Sequence, residues 1–139
     1  LTADKPGIGK KGDVVGLEVN MRPAGGFTPD MLNYSQSVDV FEIWADMIAF
    51  DESRHAYSGP KRFCVYCGRR DEIPYTHSLE EIGTEYSANL AMMTRMPDAL
   101  ADTMGNQVCI ACFDTMRQVN SVVRYAFVPQ KHIPPVEES

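Results

Sequence analysis

Gly16-Leu17-Glu18-Val19-Asn20-Met21-Arg22-Pro23, followed by Ala24-Gly25-Gly26, is the stretch from which the rest of the chain is read. At a strand's period of two, Val15, Leu17, Val19 and Met21 share one face and are apolar. Glu18, Asn20 and Arg22 share the other and are polar. A strand over residues 13–22 would bury the first face and present a carboxylate, an amide and a guanidinium in a row, about 7 Å between successive members. Carboxylate and amide oxygens are hard donors suited to Mg²⁺. A guanidinium suits phosphate oxygens or carboxylates. The same alternation also describes a surface strand with one solvated face, so the pattern alone leaves both readings open. Ala24-Gly25-Gly26 is a turn that needs backbone freedom, with or without a ligand lying close to it.

Glu18-x-Asn20-x-Arg22-Pro23 followed by a glycine pair resembles the metal-binding strand of the ATP-grasp enzymes. That superfamily includes biotin carboxylase, carbamoyl-phosphate synthase and other carboxylate–amine ligases. The resemblance continues through Phe27-Thr28-Pro29-Asp30-Met31 to Val38-Asp39-Val40-Phe41-Glu42-Ile43-Trp44 and covers about the first 50 residues. It implies ATP and Mg²⁺ as cofactors, with Glu18 and Asn20 as metal ligands and Arg22 stabilising an acyl phosphate or its transition state. It implies a small carboxylate substrate, activated by phosphorylation and then attacked by an amine or another nucleophile. A second acidic ligand, usual about a dozen residues before such a strand, has no clear match: position 6 is a proline, and Asp4 is the nearest candidate. The motif lies late in the ATP-grasp fold and the chain opens just before it at Leu1. The expectation is therefore a C-terminal fragment whose nucleotide-clamping domains lie upstream, inactive alone and prone to dimerise over exposed core.

Composition bounds the partners. The 139 residues are 44% hydrophobic and 23% charged, ordinary for a globular domain. The net charge of −6 argues against a nucleic-acid backbone as partner, since local basic spots such as Lys5, Lys10, Lys11 and Arg69-Arg70 make no basic stripe. No apolar run is long enough to cross a bilayer and no signal-peptide pattern is present, so the cytoplasm is the default compartment.

Residues 1–12 read as a loop, with Pro6, Gly7, Gly9 and Gly12 among three lysines but without phosphate-loop spacing. Thr28 reads as an N-cap with Pro29 at the first helical position, opening a helix to about Ser35. Ser37 caps a second, from about Val38 to Ala49, whose stripe of Val40, Phe41, Trp44, Met47 and Ile48 is expected to be core. Residues 51–60 are a polar linker in which His55 reads as a surface residue without sequence neighbours to work with. Phe63 to Cys67 is a buried strand, after which Gly68-Arg69-Arg70-Asp71 turns to solvent. Ser78-x-x-Glu81 is a capping box for a helix to about Tyr86, and His77 before it reads as a hydrogen-bonding loop residue. Leu90 to Met96 reads as a strand, Pro97 to Met104 as a helical turn stopped by Gly105, and Gln107 to Phe113 as a strand. Asp114 caps a final helix with Met116, Val119, Val122, Val123 and Ala126 on its apolar side.

The four cysteines form two Cys-x-x-Cys pairs, Cys64/Cys67 and Cys109/Cys112, the usual ligand pattern of a tetrahedral zinc site. The 41 residues between pairs exceed the roughly 15–20 of a compact zinc ribbon. The competing reading puts each pair in a strand, where side chains three apart face opposite ways and cannot share a metal. A non-enzymatic module folded around zinc on Cys64, Cys67, Cys109 and Cys112 is thus the rival function class. A degenerate ATP-grasp remnant serving only assembly is a third.

The expected architecture is α/β (α+β): residues 1–54 as the tail of an ATP-grasp core, 55–128 as a strand–helix–strand–strand–helix extension, and 129–139 as a frayed acidic tail.

Overall fold

A computed structural model describes residues 1–16, 22, 24–130. Among the described residues the fold is α+β: five helices and one three-stranded antiparallel sheet. The helices are α1 (Thr28–Gln36), α2 (Val40–Phe50), α3 (Leu79–Glu85), α4 (Asp98–Met104) and α5 (Met116–Ala126). The strands are β1 (Phe63–Arg69), β2 (Leu90–Arg95) and β3 (Gln107–Phe113). From residue 63 onward strands and helices alternate, with α4 a full helix between β2 and β3.

The sheet order is β1-β3-β2. β1 and β2, joined through α3, run parallel to each other and leave a slot between them, which β3 fills antiparallel to both. This is why Gln107–Phe113 is a near-continuous apolar run: a central strand covered on both faces has no solvated side to supply polar residues. Val108 through Phe113 are all buried. On one face, Cys67, Cys109, Ala111 and Phe113 pack against Ile82 of α3 and Val122 and Ala126 of α5. On the other, Val108 and Ile110 pack with Met96, Met104 and, from the α1 side, Phe27, Met31 and Tyr34. Helices therefore cover both faces of the sheet.

Local signals fix the helix ends. Ser78 Oγ accepts from the Glu81 N–H at 3.1 Å while the Glu81 carboxylate takes the Ser78 N–H at 2.7 Å, completing the expected capping box. Three other expected caps move by one or two residues. Thr28 is already helical and Phe27 holds the cap position without a side-chain bond, which leaves Pro29 in the first turn where its missing N–H is harmless. Ser37 ends α1 in the left-handed region at φ 53°, so Asp39 caps α2 through the N–H groups of Phe41 and Glu42. Asp114 is engaged by Arg62 at 3.1 Å, and Thr115 caps α5 reciprocally with Gln118.

The largest departure is α2. Its apolar stripe is not core: Phe41, Met47 and Ile48 are exposed, Trp44 is half-buried, and Asp46 is the buried residue. The helix meets α1 along Val40, Ile43, Trp44 and Met47, and among the described residues no further element covers the rest. Arg69 departs in the opposite sense. Expected at a turn to solvent, it is 3% exposed.

The two halves are laced together where the chain returns from α2 to the sheet. Ser37 Oγ donates to the Pro60 carbonyl at 2.7 Å, and the Arg62 N–H donates to the Ser35 carbonyl at 2.7 Å. Gly59 makes this crossing possible, since a Cβ there would stand 2.3 Å from that of Ser37. No helix among the described residues is long and apolar enough to cross a membrane.

Candidate functional site

Of the expected metal and acyl-phosphate residues, Glu18 and Asn20 lie outside the described residues. Arg22 is described: it is exposed and sits at a bend. Residues 13–16, at the start of the expected strand, form no strand pairing, and Val14 is fully exposed. The sheet shown by the described residues has the order β1-β3-β2. The loop before it is tightly turned. Lys5 and Gly9 pair backbone to backbone, and Asp4 Oδ1 accepts the Lys11 N–H at 2.7 Å. Asp4, the weak candidate for a second acidic ligand, is thereby part of this turn.

Downstream of Arg22, the glycine pair leads into a well-anchored element. Gly26 has φ +62°, and a Cβ there would press on the Met104 methyl at 3.1 Å. Phe27 follows at once and packs its ring 6.2 Å from that of Tyr66, whose hydroxyl donates to the Met104 carbonyl at 2.8 Å. Two small apolar cavities flank this joint. One of about 180 Å³ lies between α1 and α2, lined by Ala24, Pro29, Leu32, Ile43, Trp44 and Met47. The other, about 200 Å³, lies between Phe27, Met31, Tyr66 and Met104. The segment carrying the candidate residues is thus tied to the sheet at its C-terminal end through Phe27 and α1.

The cysteines are placed by the strand register. Cys64 stands opposite Cys112, and Cys67 opposite Cys109, across the β1–β3 ladder. Cys64 lies on the α1 face, and Cys67 and Cys109 on the face beneath α3 and α5. The spacing of three within each strand sends the members of each Cys-x-x-Cys pair to opposite faces. The four thiols therefore do not converge, and among the described residues no group of three or more His, Cys, Asp or Glu is arranged to hold a metal ion. Gly68, which follows Cys67 as it would in a zinc knuckle, has another role: a Cβ there would lie 2.2 Å from the Met104 carbonyl oxygen. Burial first, and the neighbouring Cys109, push the Cys67 thiol up to about 12.

Two polar clusters were not legible in the sequence. His55 bridges two carboxylates, with Nδ1 3.0 Å from Asp46 Oδ2 and Nε2 3.2 Å from Glu42 Oε1; the Tyr57 hydroxyl donates to Glu42 Oε2 at 2.9 Å. His55 is therefore partnered, by residues one helix away. Asp46 also accepts the Arg54 N–H at 2.8 Å, and this bond, ahead of His55, holds its carboxyl below the usual range. The only hint was an acid at each of two positions four apart on α2, which puts both on one face.

The second cluster surrounds Arg69. Its Nη2 donates to the His77 carbonyl at 2.6 Å and its guanidinium lies 4.2 Å over the Tyr75 ring. Its Nε and Nη1 have no hydrogen-bond partner among the described residues. Burial lowers its pKa. His77 stacks flat on Tyr125 at 3.7 Å, so its expected loop role is shared with a ring contact to α5.

No protein-family model, curated protein or solved structure matches this chain.

Proposed function

We propose that this chain is the C-terminal portion of an ATP- and Mg²⁺-dependent ligase, of the carboxylate–amine or carboxylase type, acting in the cytoplasm through an acyl-phosphate intermediate. The observation that carries the reading is the order of groups in Glu18-x-Asn20-x-Arg22-Pro23, closed by Gly25-Gly26 and leading directly into α1 and α2. The donor set fits the ion: a carboxylate and an amide oxygen are the hard ligands Mg²⁺ prefers, and no soft donor interrupts them. Glu18 and Asn20 hold the metal, which when bound neutralises charge on the transferring phosphoryl group. Arg22 carries the fork of donors that matches an acyl phosphate and stabilises charge developing there. The anchoring of Phe27 and α1 on the sheet supports a positioning role for the described half of the chain. The nucleotide clamp, with its lysines, is supplied by a segment preceding this chain.

The test is hydroxylamine trapping with the longer polypeptide that contains this chain. With MgATP and a panel of small carboxylic acids, an acyl phosphate is captured as its hydroxamate. Glu18→Gln and Arg22→Ala are each expected to lower hydroxamate formation by roughly 10²-fold or more, the scale of losing one transition-state donor. Turnover unchanged in both variants would remove the ligase assignment.

A further inference from the structure

Two pairs of cysteines face each other across β1 and β3, and the backbone makes them unequal. The Cys112 N–H donates to the Asn89 carbonyl at 2.8 Å, and its own carbonyl accepts from Asn89 Nδ2 at 2.9 Å. Its N–H therefore points toward β2, away from Cys64, while its carbonyl is shared with Arg62 Nη2 at 3.0 Å. The Arg62 N–H, two residues before Cys64, likewise points away from β3 to Ser35, whereas the Arg69 carbonyl points toward β3 and accepts from Asn106. Alternation along the ladder then makes Cys64/Cys112 a non-hydrogen-bonded pair and Cys67/Cys109 a hydrogen-bonded one.

The distinction decides which pair can bond. Side chains approach more closely at non-hydrogen-bonded positions, where Cβ atoms are about 4.5 Å apart against about 5.5 Å at the others. A disulfide needs Cβ atoms about 3.5–4.5 Å apart. Access differs as well. Cys64 is half-buried and lines a cavity of about 420 Å³ between α1 and β1, together with Met31, Leu32, Ser35, Arg62 and Phe63. Cys67 and Cys109 are each 1% exposed beneath α3 and α5.

We propose that Cys64 and Cys112 are a reversible dithiol–disulfide pair, oxidised by low-molecular-weight disulfides entering through the α1–β1 cavity, while Cys67 and Cys109 stay reduced. The Cys64 thiolate attacks one sulfur of the small disulfide, forming a mixed disulfide and releasing the first small thiolate. Cys112 then attacks the Cys64 sulfur, the mixed disulfide breaks, and the second small thiolate leaves. The two protein sulfurs lose two electrons, the small disulfide gains them, and the two cysteine protons end on the released thiols. Burial and the adjacent Cys112 hold the Cys64 thiol up at about 12, so exchange at neutral pH is slow.

The test is incubation of the folded chain with oxidised glutathione at mildly alkaline pH, then alkylation and peptide mapping. The wild type is expected to lose the mass of two hydrogen atoms and to yield a Cys64–Cys112 linked peptide in most molecules, restored to dithiol by dithiothreitol. Cys67→Ser is expected to keep that link. Cys64→Ser is expected to leave Cys112 without a partner and without a mixed disulfide. A wild-type protein that stays folded yet forms no link, or links Cys67 to Cys109, overturns the proposal, and this outcome needs no variant to fold.

Discussion

The sheet and its covering helices, residues 63–126, and the segment before them are built on different physical terms. In the first, each strand has a partner, and α3 and α5 lay apolar residues on one sheet face. In the second, among the described residues, Phe27 and α1 reach the sheet, and α2 leaves Phe41, Met47, Ile48 and Phe50 exposed. Yet Glu18, Asn20 and Arg22, the residues proposed for catalysis, belong to the second. A helix is amphipathic toward whatever it packs on, and an apolar stripe states that there is a partner without saying whether the partner is in the same chain. The sheet supplies rigidity, and the segment ahead of it carries the residues proposed for catalysis.

Three perturbations sharpen the contrast. The largest effect is expected in the sheet. Phe113→Ala removes a ring that is 1% exposed and is expected to cost about 3–5 kcal/mol. Ile48→Ala, at a position 71% exposed, is expected to change stability by less than about 0.5 kcal/mol. Urea midpoints measure both, and equal losses would erase the distinction. Next come the glycines. Gly68→Ala drives a methyl group into the Met104 carbonyl and is expected to cost about 1–3 kcal/mol, whereas Gly25→Ala meets nothing within 4 Å and is expected to be nearly neutral. The same urea titrations decide, and a tolerant Gly68 would mean that the β1–α4 joint is looser than described.

The smallest effect is at the latch between α2 and residues 51–58. The Asp46 carboxyl binds its proton less tightly in the folded chain than its ordinary 3.8, chiefly through the Arg54 N–H. Its contribution to stability is therefore present above that value and lost as pH falls through the lower folded one. Hydrogen exchange at the Arg54 amide is expected to stay protected down to that range and to quicken below it. Asp46→Asn is expected to remove the pH dependence, and an Arg54 amide unprotected at neutral pH would contradict the latch.

What the sequence made legible follows the same division. The run Gln107–Phe113, the Ser78–Glu81 capping box and the stripe on α5 were readable because in each case the local signal and the tertiary environment agree. Caps slipped where a second interaction competed: Asp114 faces Arg62, and Ser37 is spent ending α1. The burial of Arg69 and the bridging of Glu42 and Asp46 by His55 depend on elements distant in sequence, so no local pattern announced them. The cysteines lie between these cases. Period-two geometry foretells that a Cys-x-x-Cys pair splits across a strand. Which cysteine meets which depends on the β1-β3-β2 order and its register, which arise only when β3 inserts between two parallel strands.

The central claim is that Glu18 and Asn20 hold the metal of a metal–nucleotide. It is tested most directly by paramagnetic broadening with MnATP, on the isotopically labelled polypeptide that contains this chain. Amide signals around residues 18 and 20 are expected to broaden selectively, and Glu18→Gln to abolish the effect. Broadening centred elsewhere, or unchanged by Glu18→Gln, would contradict it.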